Sequence, residues 1–282
     1  VQLSSLYKQC AFTLKKCRLN RPIGIVFLLL PCLWGYVWQT ASIKAWDCAL
    51  LAFGALWMRS VGCAYNDWID QRFDLFVHRT KKRGLWHFSI LQILNLGILI
   101  LVPGLFLWFY LPFRTILWGI AGWLLSLLYP FLKRWVLGPQ IFLGFLFSWG
   151  VWIGASLTPT LFQKDLIFFF ILGILWTIEY DTIYAYQDKK EDLQLGLKSL
   201  AVLWDQKGKV YLMTGLGLRI LMLSGWCQHL TSHIVLWIYG VLWAKKMRKL
   251  DLNTSSSCHT FFKHSWISGL VILILIILER RV

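Results

Sequence analysis

The chain reads as an all-α, polytopic integral membrane protein of about nine transmembrane helices. Three observations carry that expectation. Mean hydropathy is +0.60, with 58% hydrophobic and only 15% charged residues, which excludes an ordinary soluble domain. Apolar runs recur at about the 20 residues needed to cross a hydrocarbon core of roughly 30 Å. The basic residues fall overwhelmingly on alternate loops, as they do when they fix topology.

Residues 1–22 come first. Leu3, Leu6, Cys10, Leu14 and Cys17 share one helical face, and Lys8, Lys15, Lys16 and Arg18 lie elsewhere around the axis. This pattern predicts an amphipathic helix on the membrane surface rather than a cleavable signal. A single transmembrane domain then fills 23–282. Its predicted spans are 23–40, 46–66, 88–109, 115–132, 137–157, 165–184, 210–228, 232–246 and 264–279, the eighth being short. The 18 Trp suit such a chain, because indole rings settle at the interface with water.

An odd number of spans puts the termini on opposite sides. The leader and the loops 67–87, 133–136, 185–209 and 245–263 hold 22 Lys or Arg. The other side holds five: Lys44, Arg114, Lys164, Arg280 and Arg281. The first group is therefore expected in the cytoplasm, with the two C-terminal arginines counting against that topology. The net charge of +16 is accounted for by topology and anionic headgroups, so no nucleic acid is implied. Seven scattered cysteines, with no CxxC, argue against a disulfide framework or a zinc site.

The acids are the informative residues. Eight of 13 occupy two short windows on the same predicted side: Asp67, Asp70 and Asp74, then Glu179, Asp181, Asp188, Glu191 and Asp192. An acid near mid-bilayer costs about 2.5–3.5 kcal/mol on insertion scales, so such groups mark function by default. If the second span continues helically past Asn66, positions 67, 70 and 74 share a face, as do Asn66, Asp70 and Asp74. Asp181, Tyr184, Asp188 and Asp192 repeat the spacing. Two carboxylate faces at one bundle mouth suit Mg²⁺, which takes one or two carboxylates and fills its shell with water and phosphate oxygens. Arg72, Arg79, Lys82, Arg83, Lys133, Arg134 and Lys198 are placed to bind the remaining phosphate oxygens. Together these residues point to a metal-dependent enzyme acting on a lipid diphosphate. A divalent-cation transporter is the alternative, but it needs acids through the membrane depth or on both sides. A catalytically silent scaffold would have no use for so many acids.

The stretches "NDWIDQRFD" (66–74) and "YDTIYAYQDKKED" (180–192) resemble the paired motifs NDxxDxxxD and DxxxD of the UbiA-type intramembrane prenyltransferases. "MRSVGCAYNDWIDQRFDLFVHRT" (58–80), "LYPFLKR" (128–134), "RPIG" (21–24) and "GLKS" (196–199) resemble the 4-hydroxybenzoate polyprenyltransferase branch. The resemblance implies nine helices around a central cavity open to the bilayer. It implies Mg²⁺ held by Asn66, Asp67, Asp70 and Asp74 with Asp188 and Asp192, and a polyprenyl diphosphate and 4-hydroxybenzoate as substrates. The lipid bilayer would hold the tail, most simply in a bacterial inner membrane with the site on the cytoplasmic side. By the same resemblance the catalytic residues are Asp67, Asp181, which orients or deprotonates the acceptor, and Arg59, which holds its carboxylate. The rings of Tyr65, Tyr129, Tyr180 and Tyr184 would shield an allylic cation. Homogentisate, dihydroxynaphthoate and haem remain open as acceptors within the family. Two positions depart from its pattern: Gly84 stands where Pro is usual and Leu200 where Thr is usual, both in loops expected over the diphosphate.

Overall fold

The computed structural model describes residues 22–70 and 90–280, with the side chains of 90–96, 99, 100, 133 and 134 left out. Among the described residues the structure is helical, with no strands. The elements are α1 (Ile23–Gln39), α2 (Ala45–Ile69), α3 (Ile90–Tyr110), α4 (Phe113–Trp135), α5 (Pro139–Ser148), α6 (Gly150–Ala155), α7 (Asp165–Ala185) and α8 (Lys189–Gln194). They continue with α9 (Leu200–Trp204), α10 (Gly208–Trp226), α11 (Leu230–Lys249), α12 (Ser255–His264) and α13 (Trp266–Glu279).

The paired pieces are bent single rods. α5 and α6 break at Trp149, and α12 and α13 at Ser265. A 3-10 turn, Tyr186–Asp188, joins α7 to α8. The rods therefore follow the predicted spans in order, with two corrections. The last rod starts at Ser255, so residues 255–263 of the predicted loop 245–263 are helical. The eighth reaches Leu230–Lys249, because Ser, Thr and Lys at its ends lower its hydropathy without stopping the helix. Among the described residues, four helical stretches are long and apolar enough to cross a membrane alone: Ala45–Ile69, Phe113–Leu132, Asp165–Gln194 and Ser255–Glu279.

Lipid offers no hydrophobic drive between helices, so close packing and internal hydrogen bonds must hold the bundle. α1 crosses α6 at backbone distance. A methyl on Gly154 would overlap the Cys32 carbonyl oxygen, and one on Gly35 would overlap that of Val151. "GVWIG" (150–154) is thus a small-xxx-small face whose glycines are required by contact. An aromatic column lies between α1 and α7: Phe27 stacks on Tyr180 at 4.1 Å, and Trp34 lies 5.4 Å from Trp176. Each such pair is worth about 0.5–1.5 kcal/mol beyond its buried area. Their indoles reach the last rod, where Trp176 donates to the Ser265 carbonyl and Trp34 to that of Gly269, both at 3.0 Å. The Ser265 carbonyl at the bend is shared, since it also accepts the Ser268 amide at 3.2 Å.

One end of the bundle is laced by side chains capping carbonyls. Arg114 donates to Thr160 O at 2.6 Å, and Gln39 to the Thr160 hydroxyl and Leu161 O, each at 2.6 Å. Arg280 donates to Thr40 O at 2.6 Å and also to Ala41 O. The Arg280 that counted against the topology is therefore occupied as a cap on the first interhelical loop.

Candidate active site

Helix α2 is long enough to carry its C-terminal residues out of the apolar zone, and it ends at Ile69. Asp70 follows with φ −88° and ψ 0°, in the bridge region where site residues often sit. The expected helical continuation to Asp74 therefore stops at Asp70, and Asp74, Arg72, Arg79, Lys82, Arg83 and Gly84 lie outside the described residues. Asp188 occupies a matching position, closing the 3-10 turn before α8. Each acidic window thus has one aspartate at a helix break, where the backbone can aim it independently of the rod.

The two windows face one cavity of about 1300 Å³. From α2 its wall includes Arg59, Gly62, Cys63, Asn66 and Asp70, spaced as a single helical stripe. From the other side come Tyr180, Asp181, Tyr184, Asp188 and Asp192. Tyr129 of α4 lies within electrostatic range of Asp181, Asp70, Arg59 and Asp192 together, so the two walls converge on one space.

Other side chains named from sequence are placed differently. Asp67 is buried at 2% exposure on α2 but not on the cavity wall, because Asn66 and Asp70 are the pair one turn apart that face inward. Glu179 also faces away, toward Arg219 of α10 at 2.5 Å and the Trp243 indole at 3.1 Å. Membership of the acidic window did not make it part of this site; a half-turn of helix separates its face from that of Asp181. Lys198 is exposed, and its carbonyl accepts the Gly138 amide at 2.9 Å, while its neighbours Leu197 and Ser199 line the cavity. Lys133 and Arg134 fall in the last turn of α4. Tyr65 donates to Leu127 O at 3.3 Å and lies off the wall, unlike Tyr129, Tyr180 and Tyr184. Leu200 packs against Gly138, also off the wall.

Sequence reasoning missed three contributors. Gly24 of α1 makes room for Arg59: a methyl there would overlap Arg59 Nε. His259 and Lys263 of α12 also line the cavity. The spacing of Cys258, Phe261 and Phe262 inside the polar stretch was the available signal for α12.

The opposite part of the cavity is apolar. Leu101, Leu105 and Trp108 of α3 and Ile120 and Trp123 of α4 line it, yet all are exposed, Leu105 by 56% and Trp108 by 52%. Residues that both line a cavity and meet the outside mark an opening, here sideways between α3 and α4.

The polar end suits a hard divalent cation that shares its ligands with a substrate. Among the described residues no three His, Cys, Asp or Glu groups form a metal centre by themselves. Mg²⁺ does not require that, since it takes few carboxylates and completes its shell with water and phosphate. The donors on the wall are hard oxygens, and the buried Asn66 Oδ1 has no hydrogen-bond partner among the described residues. The residues fit Mg²⁺ bridged by a diphosphate.

An all-helical membrane bundle whose cavity joins carboxylates to a laterally open apolar wall has the layout of an intramembrane enzyme for a lipid diphosphate. Residues 28–269 match the UbiA prenyltransferase family. The chain belongs to that family. It is 32% identical over 263 residues to a 4-hydroxybenzoate octaprenyltransferase of Tolumonas auensis, covering 90% of this chain and 92% of that one. It is 33% identical to a mitochondrial 4-hydroxybenzoate polyprenyltransferase of Drosophila pseudoobscura pseudoobscura, covering 98% and 72%. Among solved structures, a UbiA homologue from Archaeoglobus fulgidus bound to GPP and Mg²⁺ shares the fold, with a TM-score of 0.69 and 13% identity over 94% of this chain and 99% of that one. The apo UbiA homologue of Aeropyrum pernix K1 gives 0.66 and 20% over 89% and 94%.

Proposed function

We propose that this protein transfers a polyprenyl group from a polyprenyl diphosphate to the ring carbon ortho to the hydroxyl of 4-hydroxybenzoate. The product, 3-polyprenyl-4-hydroxybenzoate, is a ubiquinone precursor. The convergence of Asn66 and Asp70 with Asp181, Asp188 and Asp192 on a cavity that opens sideways along an apolar wall carries this reading. Relatives that cover most of the chain and bear that activity in their names support the acceptor.

The allylic C–O bond breaks with its electron pair leaving on the diphosphate. The ring carbon attacks the resulting carbocation, and loss of the ring proton restores aromaticity. Diphosphate and one proton are the other products. Asn66, Asp70 and Asp74, with Asp188 and Asp192, would hold Mg²⁺, which when bound neutralises charge growing on the departing diphosphate. The A. fulgidus homologue solved with GPP and Mg²⁺ supports that pairing. Arg72, Arg79, Lys82, Arg83, Lys133, Arg134 and Lys198 are the proposed ligands of the remaining phosphate oxygens.

Arg59 holds the acceptor carboxylate. Its Nε is buried with no hydrogen-bond partner among the described residues, and an arginine is made for a two-pronged carboxylate contact. Asp181 orients the phenolic hydroxyl and accepts its hydrogen bond, which enriches the ortho carbon in electrons. Tyr129, Tyr180 and Tyr184 present ring faces that stabilise the carbocation and exclude water. The site faces the cytoplasm of a bacterial inner membrane, where the basic loops belong.

Membranes containing the protein, given labelled 4-hydroxybenzoate and a series of prenyl diphosphates with Mg²⁺ or EDTA, test the proposal. Lipid-extractable label that requires Mg²⁺ is expected. Its absence with every donor overturns the reading.

A further inference from the structure

Helix α12 has a defined start and a defined rotation. Asp251 organises the start: its carboxylate accepts from the Asn253 amide at 3.0 Å and the Thr254 hydroxyl at 2.5 Å, and its own amide donates to the Ser257 hydroxyl at 3.1 Å. Cys258 and Phe261 are buried in the core and set the rotation. Phe262 packs on Tyr184 with ring centroids 4.5 Å apart. α12 thereby rests against the 3-10 turn that ends in Asp188. Its remaining inward positions, one turn apart, are His259 and Lys263, and both line the cavity.

An apolar tail would need nothing polar on that wall. A helix that buries Cys258 and Phe261 and turns imidazole and ammonium groups toward a carboxylate-lined cavity is built for an anion delivered there. Resting on the proposed function, we propose that His259 and Lys263 form a third, cationic wall of the site and bind the diphosphate of the prenyl donor. Lysine supplies three donors on a mobile point charge, and a histidine ring N–H donates in either tautomer. Contact assigns the ligand. Arg59, already given to the acceptor carboxylate, meets α1 at Gly24. α12 packs instead against the 3-10 turn that ends in Asp188, one of the carboxylates that would share a metal with the diphosphate.

The test uses full-length protein in lipid nanodiscs and the variants Lys263→Gln, His259→Asn and their combination. Two quantities are read: steady-state KM for geranyl diphosphate and for 4-hydroxybenzoate, and Mg²⁺-dependent binding of geranyl thiodiphosphate without acceptor. The double variant is expected to raise donor KM and weaken thiodiphosphate binding about tenfold or more. KM for 4-hydroxybenzoate and the melting temperature should stay within twofold and a degree or two. Lys263→Arg should restore most of the donor affinity. Unchanged donor affinity in an active protein overturns the inference alone, and so does a rise confined to the acceptor KM. A loss of donor affinity that tracks a fall in melting temperature, with no rescue by arginine, also overturns it, because the residues would then be structural. Failure of the unaltered protein both to turn over and to bind the thiodiphosphate overturns the parent proposal as well.

Discussion

Arg219 and Glu179 meet at 2.5 Å with their side chains 3% and 4% exposed, joining α10 to α7 inside the membrane domain. The Trp243 indole donates to the other Glu179 oxygen, and Tyr239 beside them donates to Ser268, so the network ties in α11 and the last rod. Breaking a buried pair by removing one partner leaves a charge uncompensated, at a cost of about 3–5 kcal/mol. Glu179→Gln should therefore lower thermal stability in detergent markedly. The paired replacement Glu179→Leu with Arg219→Leu should recover much of it, and substrate KM values should hold in whatever fraction stays folded. Equal losses in the single and double variants would show that the pair contributes nothing as a pair.

The metal assignment has its own test. Asp70→Asn and Asp188→Asn should each reduce turnover by at least about a hundredfold, on the scale of lost electrostatic stabilisation of a transition state. Melting temperature should stay near that of the unaltered chain, since neither aspartate sits within a continuous α-helix. Product formation surviving in either variant would remove that residue from the ligand set.

Arg59 and Gly24 should fail in the same direction. Arg59→Ala is expected to raise KM for 4-hydroxybenzoate about 10–100-fold, the worth of a charge-assisted contact, with donor KM little changed. Gly24→Ala should raise the same constant by displacing the guanidinium. Acceptor kinetics of the two variants decide it; a change in donor KM alone would contradict the role.

The α1–α6 crossing predicts a sharp contrast between glycines. Gly154→Ala pushes a methyl into the Cys32 carbonyl, whereas Gly217→Ala meets nothing within 4 Å. The first should cost about 1–3 kcal/mol, as overpacking does. The second should be neutral or slightly stabilising, as alanine favours helix. Comparing the two melting curves checks the crossing directly.

One exposed ion pair gives a pH signature. Lys189 donates to Asp205 at 2.5 Å, and that hydrogen bond and charge hold the Asp205 carboxyl below its ordinary value near 3.8. A depressed carboxylate contributes stability above its unfolded pKa and loses it as pH falls through the folded one. Local protection of the Tyr186–Gly208 segment should therefore exceed that of Asp205→Asn at neutral pH, and the two should become equal once the pH falls below the depressed pKa of Asp205. Hydrogen exchange across that range reads the difference. An Asp205→Asn curve that matches the unaltered chain at pH 7 would show the pair to be screened out.

Much of this was legible in the residues themselves. Length and hydropathy marked out the rods, because that signal is a local sum over many side chains. Helical spacing correctly grouped Asn66 with Asp70 and Asp181 with Tyr184, Asp188 and Asp192. It failed where a helix stops or a face turns. Asp67 shares the motif with Asp70 yet points elsewhere, and Glu179, two residues from Asp181, serves the scaffold. α12 was missed because its serines and basic residues outweigh a short apolar face, and only packing against Tyr184 and the core reveals it. Gly24 was invisible as a site residue, since its contribution is the space it leaves for a side chain on another helix.

The opening between α3 and α4 changes what concentration means for this protein. A donor that enters through a slot facing lipid is never sampled from bulk water, so its effective level is its mole fraction in the bilayer. Diluting a fixed amount of donor with inert phospholipid should slow the reaction while leaving the water-borne partner's saturation curve unmoved. Tail length is likewise freed from cavity size, because any isoprene units beyond the wall of Leu105 and Trp108 remain dissolved in the surrounding membrane.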